Sequence, residues 1–158
     1  MDKVALFVDV QNIYYTVRDS YKRHFNYNVF WERVTKDREL VGAFAYAIDK
    51  GDPKQRKFQQ ILRKIGFEVK LKNFIQRRDG SAKGDWDVGI TIDMIEYADK
   101  ADVLVLASGD GDFDLLADKI RERHKKRIEV YGVPQWTAGS LIRSATQYFP
   151  IDSEDYLF

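Results

Sequence analysis

The stretch VALFVDV, Val4 to Val10, is apolar at every position except Asp9. A run of this kind reads as a strand buried on both faces, the pattern of a parallel sheet covered by helices. VLVLA, Val103 to Ala107, is a second such run and leads directly into Ser108-Gly109-Asp110-Gly111-Asp112. Working outward, Val41 to Ile48 (VGAFAYAI) reads as a strand whose small residues permit close packing, and Arg127 to Gly132 as another. Phe67 to Phe74 (FEVKLKNF) alternates apolar with polar residues, which predicts a strand with one wet face at the sheet edge.

Helices fill the intervals. Asn12 to Tyr21 is predicted helical, although Tyr14, Tyr15, Thr16 and Val17 are weak helix formers. Phe30, Trp31 and Val34 mark a short helix within an otherwise featureless stretch from Arg23 to Leu40. Asp52 and Pro53 form an N-cap and first-turn pair; Phe58, Ile61, Leu62 and Ile65 follow at helical spacing, and Gly66 ends that helix. Asp85 is read as the cap of a helix that turns Val88, Thr91, Ile92 and Ile95 toward the core. Phe113, Leu115, Leu116 and Ile120 mark the next helix, whose basic C-terminal end suits the helix dipole, and Ala138 to Ala145 the last. Strands alternating with helices give one α/β domain over residues 1–158, its parallel sheet covered on both faces.

Composition narrows the chemistry. Lys and Arg total 26 against 25 Asp and Glu, so a nucleic-acid surface must be a local patch. The chain has no cysteine, which removes disulfides, thiolate nucleophiles and Cys-based metal sites. The two histidines, His24 and His124, stand far apart, so a metal here is held by oxygen, which favours Mg2+ or Mn2+. Met1-Asp2-Lys3 runs straight into a strand without a signal-peptide pattern, and no apolar run approaches the roughly 20 residues of a membrane span. The expectation is a cytoplasmic protein with no membrane partner; whether it acts as a homo-oligomer stays open.

The acids carry the functional reading. A charge inside a Val/Leu/Phe strand costs several kcal/mol unless it sits at the strand end with a partner. Asp9 and Asp110 both follow strands in this way, and ligands of parallel α/β sheets collect beyond the carboxyl ends of the strands. Gly109 and Gly111 are expected to permit a tight turn at positive φ that aims alternate carboxylates at one point. Asp112 reads equally as a ligand and as a helix N-cap. Asp87 lies in the first turn of the Asp85 helix and faces the same crevice, whereas Asp93 falls about 240° further around that helix. Carboxylates so gathered repel one another unless a divalent ion joins them. Magnesium keeps several of its waters, one of which serves as nucleophile. Asn12, one turn after Asp9, is placed to orient that water or a phosphate oxygen. Ser108 either fixes a carboxylate or is a plain turn serine.

FVDVQNI (Phe7 to Ile13), KGDWDVGITIDM (Lys83 to Met94) and LASGDGDFDLL (Leu106 to Leu116) together resemble the NYN domains of the PIN-like nuclease superfamily, in particular the LabA-like group. The resemblance implies a three-layer Rossmann-like (PIN-like) fold with about five parallel strands in the order 3-2-1-4-5. It also implies a metal-dependent ribonuclease site. Asp9, Asp87, Asp110 and Asp112 match the metal-binding and catalytic acids; Asn12, Lys83, Ser108 and Asp93 fall on further positions of the pattern, Asp93 as a support behind the ligands. Related chains carry an acid before the final aromatic, where this one reads Ala145-Thr146-Gln147-Tyr148-Phe149.

Lys70, Lys72, Arg77, Arg78 and Lys83 form a basic stretch that suits a phosphate backbone, with Arg77, Arg78, Lys83 and Ser108 as substrate-binding candidates. Tyr14, Tyr15 and Trp86 are candidates to stack unpaired bases. The alternative for the lysines is protection of an edge strand. The expected partner is RNA, single-stranded or structured, a preference that comes from the resemblance. The competing reading is a catalytically silent RNA-binding or regulatory module with the same acidic metal site. A phosphotransfer receiver lacks its acceptor Asp and Lys here, and an Asp-nucleophile phosphatase would need Asp-x-Asp where Asp9-Val10-Gln11 stands.

Overall fold

A computed structural model describes residues 1–73, 75–76, 82–83 and 85–158, with backbone alone at 75–76 and 82–83. The chain begins with strand β1 (Lys3–Asp9), helices α1 (Val10–Tyr21) and α2 (Tyr27–Thr35), strand β2 (Glu39–Asp49), helix α3 (Pro53–Ile65) and strand β3 (Glu68–Asn73). Two short strands, β4 (Ile75–Gln76) and β5 (Ala82–Lys83), pair antiparallel. Helix α4 (Asp87–Tyr97), strand β6 (Val103–Ala107), helix α5 (Asp114–Glu122), strand β7 (Arg127–Gly132), helix α6 (Gly139–Ser144) and strand β8 (Gln147–Pro150) complete it.

The main sheet runs β3-β2-β1-β6-β7-β8, and every neighbouring pair is parallel. With the short β4–β5 pair set aside, this is the expected order 3-2-1-4-5 extended by a sixth strand. β8 was not legible because its four residues, QYFP, carry no periodicity and end in proline. It is recruited by register: Thr146 N–H donates to the Ile128 carbonyl at 2.9 Å, and Tyr148 O–H to that of Gly132 at 2.9 Å.

Two apolar layers flank the sheet. On one side Leu6 and Val8 of β1 meet Ile13 and Val17 of α1, Phe30 of α2 and Leu62 of α3. On the other, Ala5 and Phe7 meet Ile90 and Met94 of α4, Leu116 and Ile120 of α5 and Leu141 of α6. β1 therefore needs apolar residues on both faces, which is why its sequence does not alternate. No helix among the described residues is long and apolar enough to cross a membrane.

Two helical faces differ from expectation. In α4 the buried residues are Ile90 and Met94, with Ala98 just beyond, while Val88 and Ile92 are 70% and 59% exposed. Apolar residues at 88, 90, 92, 94 and 95 surround this helix, so no stripe marks its inner face. Its phase is set from outside, by Trp86, whose indole N–H donates to the Ala47 carbonyl at 2.8 Å. In α5, Leu115 is 77% exposed, because the inward row runs through Phe113, Leu116 and Ile120.

Candidate functional site

β1 and β6 are neighbours, with Val8 opposite Ala107, so Asp9 and Ser108 leave the sheet side by side. Asp9 caps α1: its Oδ1 accepts from the Asn12 backbone N–H at 3.4 Å. Its Oδ2 accepts from the Ser108 hydroxyl at 3.2 Å, and that same hydroxyl oxygen accepts from the Asp110 N–H at 3.2 Å. Asn12 completes the stitching, its Oδ1 accepting from the Gly109 N–H at 2.9 Å. Ser108, fully buried, thus links the carboxylate of one strand end to the turn after the next, and Asn12 spends its carboxamide oxygen on that turn.

The turn departs from expectation in two respects. Neither Gly109 nor Gly111 has a positive φ. The glycines serve close approach instead. A Cβ on Gly109 would lie 2.6 Å from the Trp136 carbonyl oxygen, and one on Gly111 2.8 Å from the Ala138 Cβ. The second correction concerns the cap. Asp110 is the capping residue, its Oδ1 accepting from the Asp112 N–H at 2.9 Å, and Asp112 lies within the 3-10 turn Gly111–Phe113. Phe113, 1% exposed, anchors that turn in the core and leaves the Asp112 side chain outward.

Asp87 arrives from the start of α4. Its N–H donates to Asp85 Oδ1 at 3.2 Å, so Asp85 orders the entry to the helix while Trp86 occupies the cap position. One carboxylate oxygen from each of Asp87, Asp110 and Asp112 lies within 4.8 Å of the others. Asp9 stands outside this trio, joined to it through Ser108.

Electrostatics fit that arrangement. Burial, chiefly, pushes the Asp9 carboxyl up to about 6, helped by the charges of Asp110 and Asp85 and opposed by its bonds from Asn12 and Ser108. Asp87 is pushed up to about 7, first by burial, then by a carboxyl–carboxylate hydrogen bond and repulsion with Asp110, then by Asp85 and Asp9. Among the described residues no Lys or Arg forms a salt bridge with Asp9, Asp87, Asp110 or Asp112. A hard divalent cation is what an all-oxygen, mutually repelling set of this spacing accommodates.

Other candidates are placed differently. Asp93 accepts from Lys70 Nζ at 2.7 Å and from the Tyr46 hydroxyl at 2.7 Å. The Tyr46 ring packs against Trp86 at 5.3 Å, so Asp93 braces the start of α4 through Tyr46. Lys70 is thereby committed, and Lys72 donates to the Asp85 carbonyl at 3.1 Å while lying 4.5 Å from the Trp86 ring. These two lysines fasten β3 to α4, and Trp86 is held in packing rather than offered as a platform. Arg77, Arg78 and the Lys83 side chain lie outside the described residues. Asp85 escaped the sequence reading as a contributor to the charge. Its signal was present in the spacing Asp85-Trp86-Asp87, which places two acids at one helix entry.

The NYN domain family profile matches residues 3–152. The chain belongs to the NYN domain family. This NYN domain is 29% identical over 161 residues to the Low amplitude and bright protein LabA of Synechococcus elongatus, with 95% of this chain and 84% of that protein covered. It is also similar to the crystal structure of a protein of unknown function from Vibrio parahaemolyticus. That likeness has 55% identity and a TM-score of 0.94, and covers 99% of this chain and 96% of the other. Membership and the acidic trio fit a metal-dependent nuclease.

Proposed function

We propose that this NYN domain hydrolyses RNA phosphodiester bonds with Mg2+ or Mn2+ held by Asp87, Asp110 and Asp112, Asp9 completing the acidic set. The observation that carries this reading is the convergence of three carboxylate oxygens within 4.8 Å at the carboxyl edge of a parallel sheet. When bound, such a cation neutralises phosphoryl oxygens and raises the acidity of an attacking water.

The chain's own residues do the positioning. Ser108 ties Asp9 to the Asp110 backbone, and Asn12 holds Gly109, so the two strand ends move as one unit. Asp110 fixes Asp112 through its capping bond, and Asp85 fixes the backbone of Asp87. Three ligands from two elements are thereby set before any cation arrives, which limits reorganisation during the reaction. Asn12 and Ser108 act by holding the site together. Arg77, Arg78 and Lys83 are proposed for the phosphate backbone on the strength of their charge and sequence position.

The test incubates short RNA and DNA oligonucleotides with the purified protein in Mn2+, in Mg2+ and in EDTA, beside an Asp110→Asn preparation. Metal-dependent RNA cleavage lost in the variant is expected. Cleavage that persists in Asp110→Asn points to a contaminant, and no cleavage in the wild type overturns the hydrolase reading in favour of a binding module.

A further inference from the structure

A cavity of about 440 Å³ opens between α1 and α3, and its wall begins at Val10 and Gln11, the two residues after Asp9. That volume lies within the range of small-molecule sites, far above what a single water needs. Tyr14, 45% exposed, and Tyr15 line it with rings edge to face at 5.3 Å. The Arg18 guanidinium sits 5.5 Å and 4.9 Å from those two ring centroids. Phe58 closes the α3 side. The lining therefore combines aromatic faces with a planar cation, the surface on which unpaired bases stack.

Gln55 adds directionality. Gln55 lines the cavity, and its side-chain oxygen is buried behind that wall and accepts no hydrogen bond. A buried acceptor left unmatched costs roughly 1–3 kcal/mol and calls for a partner. Asp52, at the same wall, is already engaged as the α3 cap through the Lys54 N–H. Turning the Gln55 amide into the cavity would let its oxygen accept from the donor edge of a nucleobase, an amino or imino N–H, while the ring lies among Tyr14, Tyr15 and Phe58.

We propose that this cavity is a base-binding subsite that takes one unpaired nucleobase of an RNA strand whose neighbouring phosphate lies at the acidic site. The proposal rests on the RNA reading of that site and sharpens it, because a base paired within a duplex cannot present this edge. Single-stranded RNA is then the substrate class, and duplex RNA is excluded.

The experiment measures equilibrium binding of a labelled short single-stranded RNA in EDTA, so neither metal nor cleavage enters. The same strand is compared with a set carrying one abasic residue at each position, and with the blunt duplex. Tyr14→Ala and Gln55→Leu are each expected to weaken single-strand binding by roughly tenfold. Tyr14→Phe should bind as the wild type does. One abasic position should bind the wild type as weakly as the intact strand binds Tyr14→Ala, and on it the variants should lose nothing more. Melting curves check that each variant is folded; should Tyr14→Ala fail, Gln55→Leu carries the comparison alone. Wild-type affinity in both variants, equal losses on the abasic strands, or tighter binding of duplex than of single strand would each overturn the subsite. Base-dependent binding without Mn2+-dependent cleavage would refute the hydrolase reading while sustaining the subsite. Cleavage with base-independent binding would do the reverse.

Discussion

Replacing Asp9 by Asn should stabilise the metal-free protein at neutral pH, a result opposite to the usual effect of mutating a site residue. The Asp9 carboxyl is raised from 3.8 to about 6, mainly by burial. Between those values the folded state holds a proton that the unfolded chain has released. Stability therefore falls as pH rises through this window, and the loss is complete above it. A rise of roughly two pH units corresponds to about 3 kcal/mol. For a domain of this size that is about 6–12 °C in melting temperature. Asp9→Asn cannot ionise and keeps an oxygen to accept from the Asn12 N–H, while its amide nitrogen donates to the Ser108 oxygen in place of the present bond from that hydroxyl. In EDTA near neutral pH it should melt several degrees above the wild type, with the gap closing toward about pH 4. Saturating Mn2+ should narrow the gap, since the cation on the neighbouring trio supplies the countercharge that the Asp9 carboxylate lacks. Parallel melting profiles of the two proteins across this range in EDTA would refute the reasoning.

Three further substitutions test the framework. Gly109→Ala places a Cβ 2.6 Å from the Trp136 carbonyl oxygen, a backbone atom that cannot step aside, and should cost about 1–3 kcal/mol in urea denaturation. Arg38→Met removes both 2.9 Å bonds to Glu129, a residue 2% exposed, leaves it only Arg127 at 3.4 Å, and should cost about 1–3 kcal/mol by the same measurement. Lys70→Met leaves Asp93 with the Tyr46 hydroxyl but without its cationic partner and should cost about 1–3 kcal/mol, while Mn2+ affinity measured by titration stays at the wild-type value.

The buried strands were legible because VALFVDV and VLVLA are apolar without alternation, and only a sheet covered on both faces demands that. The strand-end position of Asp9 and Asp110 followed from the same runs. What failed was orientation wherever apolar residues surround a helix. Val88 and Ile92 look like core in α4 until the Trp86–Ala47 bond, a contact between distant residues, sets the rotation. The glycines were legible as constraints, but the constraint is the nearby 134–138 segment rather than backbone sign, and that neighbour is invisible locally. Asp93 was separable from the trio by helical angle, yet its partners Lys70 and Tyr46 come from β3 and β2, beyond the reach of spacing. Gln55 carries no signal in the sequence at all, since its unmatched oxygen exists only once α3 closes on α1.

The most direct test of the metal centre is calorimetric titration of Mn2+ into the wild-type protein and into Asp110→Asn, both stripped with EDTA and exchanged into chelator-free buffer. Asp110 is the residue that both belongs to the trio and caps Asp112, so its loss should remove saturable binding while the fold persists. Saturable binding in the wild type that disappears in the variant is the expected result. Equal binding in the two proteins, or no binding in either, would contradict a metal centre at Asp87, Asp110 and Asp112.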